Sequence, residues 1–423
     1  MKTTNAIPTG RRSGRSIRLA CPLVVIFLLT AGLTGCATTA SQKIEMIPIL
    51  TAEREIPEDQ LLDVGIMVFE SDPIDDETAK QQGTNEAVRK AERHFIPSHL
   101  KSTMQRSSHW GAVRVLPKQT DGVELLVTGK ILESNGERLA VEVTAKDATG
   151  ETWLAGTYEM TANRTVYGDN QPGRKDPFQN IYNEISNDLA EIKAEKGPEA
   201  LRAIRKTAGM KFAAEFAPDA FGDYLKTDGE DRLKIVRLPA DDDPMMARVL
   251  NIRDREYMFV DTLNAQYENY YAGMWPSYLD WRKLNLDERL AVKKIKREAM
   301  YRQLAGALLI AGAVVLGSTS NNNTGGLQAG MVIVGGQVLI DGFNVSKEAE
   351  IHAEAIEELG ESFGNEMEPV TMEFEGRQVE LTGTAEEQFE KWRGLLKQIY
   401  RSETGFETPP AEETLDDPLE NRL

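Results

Sequence analysis

Cysteine is nearly absent. The 423-residue chain has two, Cys21 and Cys36. One lies inside an N-terminal leader and the other closes it, which argues against a disulfide framework and a cysteine metal site. Histidine is scarce as well, with four residues. His94 and His99 stand five apart, a spacing that does not share a helix face. Neither they nor His109 have an acidic or cysteine partner at ligand spacing, so packing or surface roles explain them and no metal or cofactor is expected. The chain contains no P-loop and no His-Glu-x-x-His. No catalytic group is assigned, and a non-enzymatic role is expected. Positive charge is also short, with 49 basic residues against 67 acidic ones and a net charge of −18. The leader holds five of the basic residues and none of the acidic ones, which leaves the rest near −23. So acidic a surface argues against nucleic acid as a partner and against a polybasic grip on anionic lipid.

What is present begins with that leader. Arg11, Arg12, Arg15 and Arg18 make a positive start, and residues 19–30 are apolar but too short for a stable membrane span. Leu33-Thr34-Gly35-Cys36 then sets small residues before a cysteine. This pattern resembles the lipoprotein signal of Gram-negative bacteria. The resemblance implies cleavage between Gly35 and Cys36, diacylation of the Cys36 sulfur and acylation of the new amine. That is more than the single lipid that gives only marginal anchoring. Ala37 in place of Asp implies, by the same resemblance, the periplasmic face of the outer membrane. Residues 1–35 are thus read as signal peptide. Residues 36–60, polar and without strong period, are read as a lipidated tether.

Residues 61–165 carry the pattern of a small α/β domain. Val64, Ile66 and Val68 alternate with Gly65, Met67 and Phe69, as in a central strand. Residues 72–82 read as an acidic loop. A helix follows over 84–107, with Thr84 as cap and a kink at Pro97. Strands are expected at 111–116, 123–134, 138–148 and 151–161. Asn135-Gly136 is a hairpin turn signal, and the Gly150 of Asp147-Ala148-Thr149-Gly150 supplies positive φ to another. Leu139, Val141 and Val143 alternate with polar or small residues, which predicts a sheet with one wet face. The order β-α-β-β-β-β, with Val123-Glu124-Leu125-Leu126-Val127-Thr128-Gly129-Lys130-Ile131 and the turn at 147–150, resembles a domain of several envelope proteins. These are the amino-terminal domain of the Tol–Pal translocation protein, the curli-secretion channel lipoprotein and the lipoprotein activators of penicillin-binding proteins. The resemblance implies a domain that binds envelope protein partners or forms homo-oligomers.

Residues 176–284 read as a helical domain. Asp176-Pro177 offers an N-cap and an N1 proline. Phe178, Ile181, Ile185, Leu189 and Ile192 then recur at helical spacing, and Gly197-Pro198 breaks the chain before a second helix that ends at Pro218. A third helix starts at Asp243-Pro244, where Arg253, Asp254, Arg255 and Glu256 read as a solvated face. It leads into Tyr267, Tyr270, Tyr271, Trp275, Tyr278 and Trp281. Such a cluster is either core packing or a glycan-stacking site, with Tyr271, Trp275 and Trp281 as contacts. The glycan reading would make the protein a binder or modifier of peptidoglycan.

Residues 285–363 read as a long glycine-rich helical hairpin. A charged helix enters an apolar run at 304–317, a turn holds Asn321-Asn322-Asn323, and a second apolar run spans 326–345. Gly306, Gly312, Val314, Gly317, Gly326 and Gly330 are the candidate membrane or oligomer contacts, since small residues let helix backbones approach closely. The first run spans about 21 Å as helix, short of a bilayer. A buried hairpin, or a β-hairpin given to a ring, uses the same pattern differently. A β-hairpin around Glu375-Gly376 and a helix opened by the capping box Thr384-Ala385-Glu386-Glu387 fill 364–402, and 403–423 is a disordered acidic tail. The expected fold is α+β: a small α/β sandwich followed by a mostly helical domain with a glycine-rich hairpin.

Overall fold

The alternating run at 62–69 forms β1 (Val64–Met67), whose first three residues are buried. This computed structural model describes residues 44–168, 176–228, 232–240, 242–316, 351, 354–358, 369–374 and 376–404. The two-residue β2 (Glu70–Ser71) is followed by two helices, α1 (Asp76–Gln82) and α2 (Glu86–Ser107). Strands β3 (Val113–Leu116), β4 (Leu125–Ser134), β5 (Arg138–Asp147) and β6 (Thr152–Thr161) complete a mixed sheet in the order β3-β1-β4-β5-β6, with β2 on β4. β1 runs parallel to β3 and β4, and β4, β5 and β6 form an antiparallel meander. Val127, Ile131, Val141, Val143 and Ala145 are buried, whereas Thr128, Glu142 and Lys146 are exposed. One face is wet, as the alternation predicts. The protein is α+β.

The remaining elements are α3 (Gln179–Glu195), α4 (Pro198–Phe216), α5 (Pro218–Phe221), the small hairpin β7 (Leu225–Thr227) and β8 (Leu233–Ile235), the 73-residue α6 (Pro244–Leu316), the hairpin β9 (Val370–Phe374) and β10 (Arg377–Leu381), and α7 (Ala385–Thr404). Helix α3 packs on β6 and on α2. Helix α6 packs on α2, α4, β3 and α7.

Several local expectations are corrected by side chains the pattern did not weigh. The acidic stretch at 72–82 contains α1, because Asp75 accepts from the backbone N–H of Glu77 and Thr78 at 3.1 and 2.9 Å and so caps a helix. Asn85, not Thr84, caps α2, accepting from Ala87 and Val88. Helix α2 continues across Pro97, and α6 across Pro276. Asp176 holds the turn before α3 by accepting from Phe178 N–H at 2.7 Å, and regular helix starts at Gln179. At the β4–β5 turn it is the Asn135 side chain that closes the loop, accepting from Glu137 and Arg138. Gly136 is not in the left-handed region. Its need for glycine is steric: a Cβ there would fall on the carbonyl oxygen of Arg282 in α6. Gly150 does take φ +91, and Thr384 and Glu387 do form the reciprocal capping box.

The expected breaks at 165 and 284 are not breaks in packing. One hydrophobic cluster runs from Leu62 through Phe95, Phe178, Phe212 and Phe259 to Tyr400, and the described residues from Ile44 on form one compact unit. Residue 284 lies inside continuous helix. Part of the tether is built into the body as well, since Ala52 N–H donates to Ser107 at 2.9 Å.

Candidate functional site

The long helix α6 has two unlike halves. From Val249 to Leu286 it buries one residue per turn or more: Val249, Ile252, Glu256, Phe259, Leu263, Tyr267, Tyr271, Met274, Tyr278, Trp281 and Leu286. That is the 3.6-residue stripe of a core helix. From 291 to 301 the stripe is gone and almost every residue is exposed. Ile295, Met300 and Tyr301 are 46%, 53% and 61% exposed. Helix nonetheless continues to Leu316, about 40 Å beyond Leu290 at 1.5 Å per residue. Ile356 is fully buried, whereas Ile351 is 61% exposed. Gly306, Gly312 and Val314 lie in the last turns of α6. Gly317, Gly326, Gly330, Gly35 and Cys36 lie outside the described residues.

Polar fasteners hold the buried half in place. Arg282, with no exposed surface, sends Nη1 to both carboxylate oxygens of Asp176 at 3.2 and 3.1 Å, and its Nη2 is 3.6 Å from Glu92. Glu92 also accepts from Ser134 at 2.5 Å and from the Tyr278 hydroxyl. The Tyr278 and Phe178 rings lie 4.0 and 4.9 Å from the guanidinium carbon. Asn264 bonds both ways to Val115 at 2.8 Å and satisfies the outer edge of β3, as a neighbouring strand would. Glu256, expected on a solvated face, is fully buried. Burial pushes its carboxyl up, while Thr120 at 2.9 Å and Arg393 at 2.8 Å hold it. Trp392 and Phe389 of α7 stack near Phe259, so the C-terminal helix returns to the buried half of α6.

The aromatic cluster divides on inspection. Trp281 is 2% exposed and stacked near Tyr278, with no face left for a sugar ring, so its assignment as a glycan contact is corrected to core. Tyr271 is nearly buried and Trp275 partly so, and these two line an open cleft of about 330 Å³ between α2 and α6. Phe95, Ser98, His99 and Glu268 line it too, and Phe95 stacks on Trp275 at 5.7 Å. His99 is held by Gln179 at 2.9 Å, and burial lowers its pKa. Burial also pushes His94 down to about 4, with Arg93 adding to the effect. Among the described residues, no group of three or more His, Cys, Asp or Glu side chains could hold a metal ion. Among the described residues, too, no helix is long and apolar enough to cross a membrane.

The sequence matches no protein-family description and no curated protein. Among solved structures it is similar to a PelC dodecamer from Paraburkholderia phytofirmans. Identity is 12%, over 35% of this chain and 94% of that one, and the TM-score of 0.18 is too low to carry an argument.

Proposed function

We propose that this protein is a non-enzymatic lipoprotein, anchored through acyl chains on Cys36 at the periplasmic face of the outer membrane, that scaffolds an envelope or secretion complex as an oligomer. The leader ending in Leu33-Thr34-Gly35-Cys36 motivates the anchor. The observation that carries the scaffold role is the loss of the buried stripe of α6 at 291–301 while the helix itself continues. A helical stretch with so little buried gains little stability from a packed face, which supports a contact element. Photo-crosslinking groups placed at Ile295 and Tyr301 in cells should capture a second copy or defined envelope proteins. The same group at Glu142, on the wet sheet face, serves as control. Adducts equal in number and kind at all three positions would sink the scaffold reading.

A second reading keeps the cleft at Tyr271 and Trp275 as a peptidoglycan contact, because an aromatic wall beside the Glu268 carboxylate suits a sugar ring. Pull-down on purified sacculi tests it. Retention that Trp275→Ala abolishes would favour this reading over the scaffold.

A further inference from the structure

Residues 45–50 belong to no helix or sheet, and the exposure of 46–50 alternates as in an extended segment. Their backbone groups are paired instead by three asparagines on α3, at positions 180, 183 and 187, which share one helix face. Asn180 accepts from Ile47 N–H at 3.0 Å and donates to the Glu45 carbonyl at 2.7 Å. Asn183 donates to the Ile47 carbonyl at 2.7 Å. Asn187 accepts from Leu50 N–H at 2.8 Å and donates to the Pro48 carbonyl at 2.9 Å. A carboxamide offers one acceptor and two donors, so it can replace both bonds of a neighbouring strand. Side chains of an extended segment alternate. Ile47 and Ile49 are partly buried, while Met46 and Leu50 are turned outward at 39% and 40% exposure, with Pro48 exposed between them.

We infer that this ladder sets how closely the body sits on the bilayer, and that the α3 side, with Met46, Pro48 and Leu50 outward, is the side turned to lipid. The inference rests on acylation of Cys36. Eight residue steps separate Cys36 from Ile44, which at full extension reach about 28 Å. Without the ladder the tether would run on to Ala52, the next residue bonded to the body, and its reach would about double. The pinned strip also presents apolar side chains at the first place where the anchored chain joins the body. That surface is matched by the boundary between headgroups and acyl chains.

The test uses full-length protein matured and acylated in cells, then reconstituted in phosphatidylethanolamine-rich vesicles. A donor dye is attached at Glu191→Cys, an exposed α3 position, and the vesicles carry headgroup acceptors. Strong energy transfer is expected. Most of it should be lost in the triple variant Asn180→Ala, Asn183→Ala, Asn187→Ala. A Gly/Ser insertion after residue 43 leaves the ladder and the fold intact, so it should lose transfer even if the triple variant folds poorly. In hydrogen exchange, the Ile47 and Leu50 amides should be protected in the parent and in the insertion variant. Unprotected amides in the parent, or transfer unchanged by the insertion, overturn the stand-off while leaving the anchor reading intact. A parent protein that takes up no labelled palmitate overturns both.

Discussion

Helix α6 is one element with two environments, and the comparison separates what packing does from what helix propensity does. Between Val249 and Leu286 each turn places a side chain in the core, and the polar ones among them are engaged: Glu256 with Arg393, Asn264 with Val115, Arg282 with Asp176. Between 291 and 301 the residues are Ala, Val, Lys, Ile, Arg, Glu, Met and Tyr, mostly good helix formers, with almost nothing buried. The first half is specified by tertiary contacts with residues more than a hundred positions away, the second mainly by local preference, with Lys293 reaching back to Glu137. Damage to the first half should therefore appear as lost stability, and damage to the second as lost association.

The largest effect is expected at Arg282. Arg282→Met keeps the bulk but leaves Glu92 and Asp176 buried without their cation. The cost should be about 3–5 kcal/mol, the range for breaking a buried pair from one side. Thermal or denaturant unfolding measures it. The matching change in the exposed half, Arg297→Met, should stay within about 0.5 kcal/mol. Equal losses would dissolve the distinction between the halves.

Next comes a pH effect that belongs only to the buried half. His94, whose ring lies against Tyr267 of α6, has its pKa lowered by burial to about 4 from an ordinary 6.5. The unfolded chain therefore binds a proton that the folded one refuses. Its contribution is fully present above pH 6.5 and is lost as pH falls towards 4, at up to about 1.4 kcal/mol per pH unit. His94→Gln should flatten that part of the profile, with the slope read from midpoints at successive pH values. An unchanged slope would mean that His94 is not desolvated against α6.

Gly136→Ala should cost about 1–3 kcal/mol, the range for overpacking, since the new methyl must displace the α6 backbone at Arg282. If the loss is only that of an ordinary surface turn, the β4–β5 loop is not seated against α6.

Much of this architecture was legible, and the unread part has one physical cause. Pro198, Gly150, Gly376 and the Thr384–Glu387 pair announce structure that depends on neighbours within a few residues, and each sits where its local chemistry puts it. The strands were legible because burial of one sheet face forces alternation. Arg282, Glu256 and Asn264 gave no such signal. A charged or amide side chain in a helical pattern looks the same whether it faces water or a partner at the far end of the chain. Asn180, Asn183 and Asn187 likewise read as the polar face of an amphipathic helix, and only the extended segment at 45–50 gives their spacing a meaning. Trp281 and Trp275 are alike in sequence context, yet one is core and the other lines a cleft. The end of burial at Leu290 was half legible: the charged helix and apolar run were visible, but continuity with the aromatic stretch before them was not.

The smallest effect on stability is expected at Val314, and it is the most informative. Val314 lies in the last turns of α6, beyond the stretch whose exposure marks the departure from the core. In the contact reading, Val314→Asp leaves the cooperative unfolding of the body unchanged, because the fasteners at Arg282, Asn264 and Glu256 are intact. Its cost falls on association. For a lipid-inserted tip this is about 2.5–3.5 kcal/mol on insertion scales, enough to release non-acylated protein from liposomes. For a self-associating tip the oligomer dissociates instead, and sedimentation detects it. If Val314 were packed in the body, the same carboxylate would be a buried unpaired charge and unfolding would lose its cooperativity. Unfolding, sedimentation and liposome flotation on one pair of proteins thus distinguish three outcomes. Loss of cooperative unfolding would remove the contact role from the helix and leave the acyl chains on Cys36 as the membrane attachment.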